Sequence, residues 1–475
     1  MSVDRLANLS YVLQVLIARM LPLPAIGRLA RCCTTLRDAC AHNSVWVDKL
    51  PRSFHRPASR HAPHQVDYRR ILRRWLECSS VDARVAHAAQ LGGLAPDARF
   101  LHRSLRLGAQ MLVFGGKSDT EYFDECWSLD LETLQWARLG SDAATRTPEP
   151  RCAASLTYVN GCVLLFGGRS QTDRFLADVW RLELVDGTGP TSPPMVRWTQ
   201  LADAETDGAP AGRWAHGAVA MHGWLVVFGG SNLESTLNDL WLFDPSRHVW
   251  VECTGALDDD AGANTREGAL ERVDGAASCV RPCARGGHSM VCIREDEAVL
   301  FGGNDMVSTF NDVWLLRLTA TPRSGQAPTT VPRAQWTRLV KASESAPPAR
   351  VGHAMVAFDD RIVVLGGRNF LQSSFDERAH ILDVTTERWH ALSSTGDGDA
   401  TRDMARSMTR TGHSAVEYSG SILVFGGLGL RDVERPPHDQ SVFLNDMMWM
   451  HLVGSDVDAC THHDDEPPAV RLVRV

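Results

Sequence analysis

The chain has 475 residues, 44% of them hydrophobic, and a formal net charge of −8. That length exceeds one ordinary compact core, so it implies two domains or a large repeat domain with a small companion. The charge leaves no basic footprint for nucleic acid, and no apolar run approaches the roughly 18 residues that span a bilayer.

Asp4, Arg5, Gln14 and Arg19 make the N-terminus a poor secretory signal. The 12 cysteines follow no pairing framework, and Cys162 and Cys292 sit inside apolar runs. Reduced thiols in a cytoplasmic or nuclear protein are the expectation.

Leu9, Val12, Leu13, Leu16, Ile17 and Met20 recur at helical spacing, and Pro22 and Pro24 end that helix. Ile26, Leu29, Ala30 and Cys33 begin a second apolar stripe, Leu36, Ala39 and Cys40 continue it, and Val45-Trp46 closes the set. So small a helical module cannot bury a deep core alone and points to completion by a partner. Residues 9–50 resemble an F-box: Leu9-Ser10, Leu21-Pro22, Cys32-Cys33-x-x-Leu36 and Val45-Trp46 stand at the family's four signature positions, with Ser10 for the usual Pro and Leu36 for the usual Trp. The resemblance implies docking on a Skp-type adaptor, and through it on a cullin ubiquitin ligase. Leu9, Leu13, Leu16, Pro22 and Trp46 would form the contact. Residues 51–82 follow as a linker, Pro-, His- and Arg-rich at first and then a basic helix over Tyr68–Cys78.

Beyond the linker, glycine pairs end six apolar runs: Gly115-Gly116, Gly167-Gly168, Gly229-Gly230, Gly302-Gly303, Gly366-Gly367 and Gly426-Gly427. The runs (MLVF, VLLF, LVVF, ILVF) have the β-branched and aromatic character of buried strands. An Arg precedes each pair by sixteen or seventeen residues: Arg99, Arg151, Arg213, Arg285, Arg350 and Arg410. Three places after the Arg stands His102, His216, His288, His353 or His413, with Ala154 the exception. After each pair comes an acidic residue, then Trp127, Trp180, Trp241, Trp314 or Trp449 (His380 in the fifth copy). A second Trp follows in five copies: Trp136, Trp198, Trp250, Trp336 and Trp389. Each unit therefore predicts four strands, a to d, with the glycine pair closing b.

These units resemble kelch repeats, and the glycine pairs are spaced 52, 62, 73, 64 and 60 residues apart. The resemblance implies a mainly β protein: a six-bladed β-propeller over residues 83–453, behind the small all-α F-box-like domain. The sixth unit lacks a Trp for strand d. Residues 83–91 or the C-terminal AVRLVRV of 454–475 would close the ring, the N-terminal segment being favoured, as in zeitlupe-type F-box/kelch proteins, whose light-sensing domain this chain lacks.

Alternating strands put the b–c and d–a connections on one face, which carries the largest insertions and is expected to hold a partner. The Arg ring there reads as a collar for an acidic peptide or, the stronger reading, as the ion-pair partner of Glu125, Asp178, Asp239, Asp312, Glu377 and Asp446. Lys117, Arg169, Asn304, Arg368 and Asn369 do not repeat, and with Phe100 and Trp214, expected to be exposed, they are the partner-binding candidates. The repeated His, one per unit, are spread around a ring and read as core residues, so no metal is expected. Neither a triad nor a phosphate-cradling Gly-Lys loop appears, so no cofactor and no catalysis are expected. The expected function is that of a substrate receptor for a cullin-type ubiquitin ligase, binding an adaptor and a protein substrate. The alternative is a kelch scaffold in some other assembly.

Overall fold

The computed structural model describes residues 80–87, 94–141, 146–185, 195–253, 270–273, 276–279, 281–319, 332–339, 346–358, 360–369, 374–375, 378–394, 408–430, 441–453 and 469–472. The chain divides into two units, Met1–Ser79 with Leu452–Thr461, and Ser80–His451 with His462–Val475. The blades belong to the second unit. The F-box-like segment, its adaptor-binding candidates and the basic helix lie outside the described residues.

The described part is mainly β, in propeller-like blades. Strand a (Arg103–Leu107), b (Gln110–Phe114), c (Cys126–Asp130) and d (Trp136–Ser141) form an antiparallel meander. The same order recurs in Ser155–Val159, Cys162–Phe166, Val179–Val185 and Met195–Ala202. A third set runs Gly217–Met221, Trp224–Ser231, Thr236–Asp244 and Val249–Glu252. The fourth is Ser289–Arg294, Glu297–Phe301, Val313–Thr319 and Arg333–Leu339. The fifth is Ala354–Phe358, Arg361–Leu365, Ala379–Asp383 and Arg388–Ser394. In the last, Ser414–Tyr418, Ser421–Leu430 and Ser441–Val453 pair in turn.

Both terminal segments join this sheet. Strand Ser80–His87 lies beside Ser441–Val453, and Ala469–Leu472 pairs in parallel with it and with Arg388–Ser394 of the fifth set. The two segments posed as alternatives occupy neighbouring places, because one completes the sixth set and the other fills the gap to the fifth.

Each sheet buries both faces against its neighbours. Leu112 and Phe114 of the first set cluster with Leu165 and Trp198 of the second; Phe166 of the second clusters with Trp250 of the third, and Phe425 of the sixth with Trp127 of the first. The second Trp of each unit forms the wedge: Trp136, Trp198, Trp250, Trp336 and Trp389 sit 4.9 to 5.3 Å from Phe425, Phe114, Phe166, Phe228 and Phe301 of the preceding set. Burying such a ring contributes on the order of 2–3 kcal/mol.

The inner strands meet around an axis. Two places after each Arg stands Leu101, Ala153, Ala215, Gly287, Gly352 or Gly412, each with φ between 51° and 68°. That left-handed turn aims the backbone sideways. Leu101 N–H donates to Gly412, Ala153 to Leu101, Ala215 to Ala153, Gly287 to Ala215, Gly352 to Gly287 and Gly412 to Gly352, at 2.7 to 2.9 Å. The hydrogen bonds return to their starting residue and form a waist.

Candidate functional site

The recurrent arginines stand four residues before strand a and are buried, Arg213 at 0% exposure. Each guanidinium Nη1 donates to the carbonyl of the first glycine of its own pair: Gly115, Gly167, Gly229, Gly302, Gly366 or Gly426, at 2.7 to 3.2 Å. Ion pairs complete the fork for Arg99–Glu125, Arg151–Asp178, Arg213–Asp239, Arg285–Asp312 and Arg410–Asp446, at 2.6 to 3.0 Å. Trp127, Trp180, Trp241 and Trp314 donate their indole N–H to the same carboxylates. For Asp239, burial alone raises the pKa, but the hydrogen bond and charge of Arg213 outweigh it and hold the carboxyl below its ordinary range. Glu377, the partner expected for Arg350, lies outside the described residues. Five of the charges are paired internally and all six side chains are buried, so the ring of arginines is no collar for an acidic peptide.

The glycine pair joins one set to the next. Gly116, Gly168, Gly230, Gly303, Gly367 and Gly427 donate to the carbonyls of Arg151, Arg213, Arg285, Arg350, Arg410 and Arg99, the Arg of the following set. Gly115 has φ +66°, and a Cβ there would lie 2.7 Å from the Arg151 carbonyl oxygen. Only glycine permits that approach.

The histidines pack between sets. His102, His216, His288 and His353 stack edge-on against Phe425, Phe166, Phe228 and Phe301 of the preceding set. Burial, then the neighbouring Arg charge, pushes His288 and His413 down to about 3, so both rings are neutral at physiological pH. Each sits at a different seam, and no group of three or more His, Cys, Asp or Glu among the described residues converges as a metal site would.

One rim outside the waist gathers the partner candidates. The residue after each Arg bridges to the residue after the glycine pair: Phe100 to Lys117, Cys152 to Arg169, Trp214 to Ser231, Gly286 to Asn304, Val351 to Arg368 and Thr411 to Leu428. Lys117 Nζ lies 5.6 Å from the Phe100 ring and 5.3 Å from Tyr122. Arg169 stacks 5.5 Å over Trp214 and pairs with Asp173 at 2.7 Å, and Arg368 lies 5.5 Å over Phe375. Phe100 and Trp214 are half-buried, not exposed as expected, because each lies against its neighbour across the rim. Asn369 is buried in the short pairing with Ser374. The rim is thus a set of cation–aromatic stacks with polar edges.

Two b–c loops add apolar tips. Asn232 Oδ1 accepts the N–H groups of Glu234 and Ser235, and Asp305 Oδ1 those of Val307 and Ser308. These Asx turns hold Leu233, Met306 and Val307 outward at 85%, 77% and 77% exposure. Sequence patterning does not single out Met306 and Val307; their signal is an apolar pair inside a polar loop directly after Asn304.

Residues 73–270 and 263–409 match the model of the KLHDC2/KLHL20/DRC7 Kelch-repeats domain. The chain belongs to the kelch-repeat family. An F-box/kelch-repeat protein of Arabidopsis thaliana is 31% identical to it over 287 residues, which cover 59% of this chain and 52% of the relative. Similarity extends to Acyl-CoA-binding domain-containing protein 4 (24% over 317 residues, 65% of this chain, 40% of the relative) and Adagio protein 3 (27% over 319 residues, 62% and 41%), both of Arabidopsis thaliana. The chain spans about half the length, or less, of these kelch relatives. Among the described residues no helix is long and apolar enough to cross a membrane. Kelch repeats imply a protein-interaction function, and the rim with its exposed tips is the described surface best furnished for one.

Proposed function

We propose that this kelch protein is the substrate-recognition subunit of a cullin-type ubiquitin ligase. Its F-box-like residues 1–50 would bind a Skp-type adaptor through Leu9, Leu13, Leu16, Pro22 and Trp46. Residues 51–82 would be the linker, and residues 83–453 a six-bladed propeller that binds the target protein at the rim. The tail 454–475 supplies the strand Ala469–Leu472. The closed run of hydrogen bonds at the waist, with one donor from each set, favours six blades in a ring. The observation that carries the reading is the conjunction of an F-box-like head with kelch repeats, the pairing that names the Arabidopsis relative. The chain itself supplies proximity and orientation, and partner enzymes supply the ubiquitin chemistry. It is read as a non-enzymatic protein of the cytoplasm or nucleus, without cofactor, nucleic acid or membrane.

Purification of the full chain from cells, beside a deletion of residues 1–50, tests this. A Skp-type adaptor and cullin should accompany the full chain and vanish with the deletion; their absence from the full chain would refute the proposal. The similarity to acyl-CoA-binding domain-containing proteins favours one other reading, in which kelch repeats serve a different kind of head as a scaffold. That reading predicts partners that persist without an adaptor.

A further inference from the structure

The channel beyond the waist, on the side away from the rim, holds an open cavity of about 210 Å³. That is room for about seven waters at about 30 Å³ each, or for one small ion with part of its hydration shell. Its walls are the first residues of the six a strands. Five of these are small: Ser155, Gly217, Ser289, Ala354 and Ser414. The sixth is Arg103.

Arg103 Nε donates to the Ala154 carbonyl at 2.6 Å, and Nη1 lies 3.4 Å from the His102 carbonyl. No ion pair to Arg103 occurs among the described residues, and no Asp or Glu lines the cavity. This contrasts with the six arginines of the repeat frame, each locked onto the glycine pair of its own unit. Burial pushes the Arg103 guanidinium below the usual arginine range, yet it remains a cation at neutral pH. Arg103 is half-buried on the channel wall, and a cation there with no carboxylate beside it attracts an anion.

The other walls carry hydroxyls, of which Ser289 Oγ already donates to the His353 carbonyl at 2.6 Å. His102 Nε2 lies 2.8 Å from Ser414 Oγ, and His216 Nε2 2.9 Å from Ser155 Oγ. In the Nε2–H tautomer both imidazoles donate to these oxygens, leaving the serine protons for the channel. Ser104 and Thr157 line the same space.

We propose that this channel binds a phosphate-sized oxyanion, held by the planar fork of Arg103 and by serine and threonine hydroxyls. The site is separated from the rim by the waist and does not rest on the ubiquitin-ligase reading. An anion there would neutralise the charge of Arg103, which has no carboxylate partner among the described residues, and tie several strands together.

The test uses the full chain with inorganic phosphate as probe, against chloride at equal ionic strength. Phosphate should raise the melting temperature of the wild type in a saturable way. Arg103→Ser, which installs the residue that three other sets carry here, should weaken the apparent affinity by about tenfold or more. Should Arg103→Ser not fold, Arg103→Lys, which keeps the charge without the fork, should show a smaller loss. A phosphate effect no different from chloride, or one unchanged in these variants, would overturn the proposal.

Discussion

The N–H of Gly427 donates to the carbonyl of Arg99 at 2.9 Å, joining the last glycine pair to the first recurrent arginine. The neighbouring Gly426 has φ +63°, and a Cβ on it would lie 2.9 Å from the same carbonyl oxygen. Gly426→Ala should therefore destabilise the chain by about 3 kcal/mol or more, summing a left-handed backbone and a steric overlap. Gly108 is the control, with φ +58° and nothing within 4 Å of an added Cβ. Gly108→Ala should cost only about 1 kcal/mol. Denaturant midpoints of the two variants, compared with the wild type, check the difference.

The Arg213–Asp239 pair supports a second test. Asp239→Asn keeps the shape but leaves a buried guanidinium short of charge, and Arg213→Met strands the carboxylate with the Trp241 indole N–H as its remaining side-chain donor. Each should cost about 3–5 kcal/mol, and the double variant less than the sum. Strict additivity in a double-mutant cycle would contradict the pairing.

Stability should depend on pH in two windows. Burial keeps His288 and His413 neutral down to about 3, so the folded chain binds fewer protons than the unfolded one below the ordinary histidine value. Stability then rises with pH from about 3 to roughly 6.5 and is level above. Glu125, Asp239 and Asp312 are also depressed: burial alone raises them, but it is outweighed by the indole hydrogen bond of Trp127 and then Arg99 at Glu125, and by their arginine partners at Asp239 and Asp312. Their contribution is present above roughly pH 4 and is lost as pH falls through the folded values. The denaturant midpoint should already decline between pH 6.5 and 5, before carboxylates protonate. His288→Ala, which copies the residue at the equivalent place in the second set, should reduce the slope between pH 4 and 6 by about 1.4 kcal/mol per unit.

The rim carries the functional prediction. Charge reversal at Lys117 or Arg169, or Leu233→Asp with Met306→Asp, should abolish capture of the target protein. Each should leave the melting temperature within a few degrees, because these side chains stand at the rim or at loop tips. Alanine blocks over 187–194, in the connection between strands c and d of the second set, should leave capture intact. The reverse pattern in a pull-down would move the partner site to the c–d connections.

The repeat frame was legible because physics enforces it at each unit. Gly115 and its counterparts face a neighbouring carbonyl, and Arg213 and its counterparts have one carboxylate and one glycine carbonyl to satisfy. Such positions tolerate no alternative and stand out by repetition. The strand order at the sixth set was not legible, since Ser80–His87 and Ala469–Leu472 each suit a sheet edge and only pairing shows that both are used. The half-burial of Phe100 and Trp214 depends on cross-rim neighbours that the local sequence does not announce. Arg103 was hidden for the opposite reason: it breaks the pattern at a position where the other units carry little to notice.

The Trp–Phe wedge is missing at one seam. The fifth set ends strand b in Leu365 instead of Phe, and no Trp occurs in Ser80–His87. Val363 and Ile381 of the fifth set and Ile422, Val424 and Met450 of the sixth are buried without an aromatic wedge between them, and near the axis the two sets are joined by Gly367 to Arg410 and Gly412 to Gly352. Thermal opening should start at this outer seam, as a local breathing motion that costs less than global unfolding. Amides of Ser80–His87 and Ala469–Leu472 would exchange with solvent deuterium first, and protease would nick the chain there while the rest stays folded.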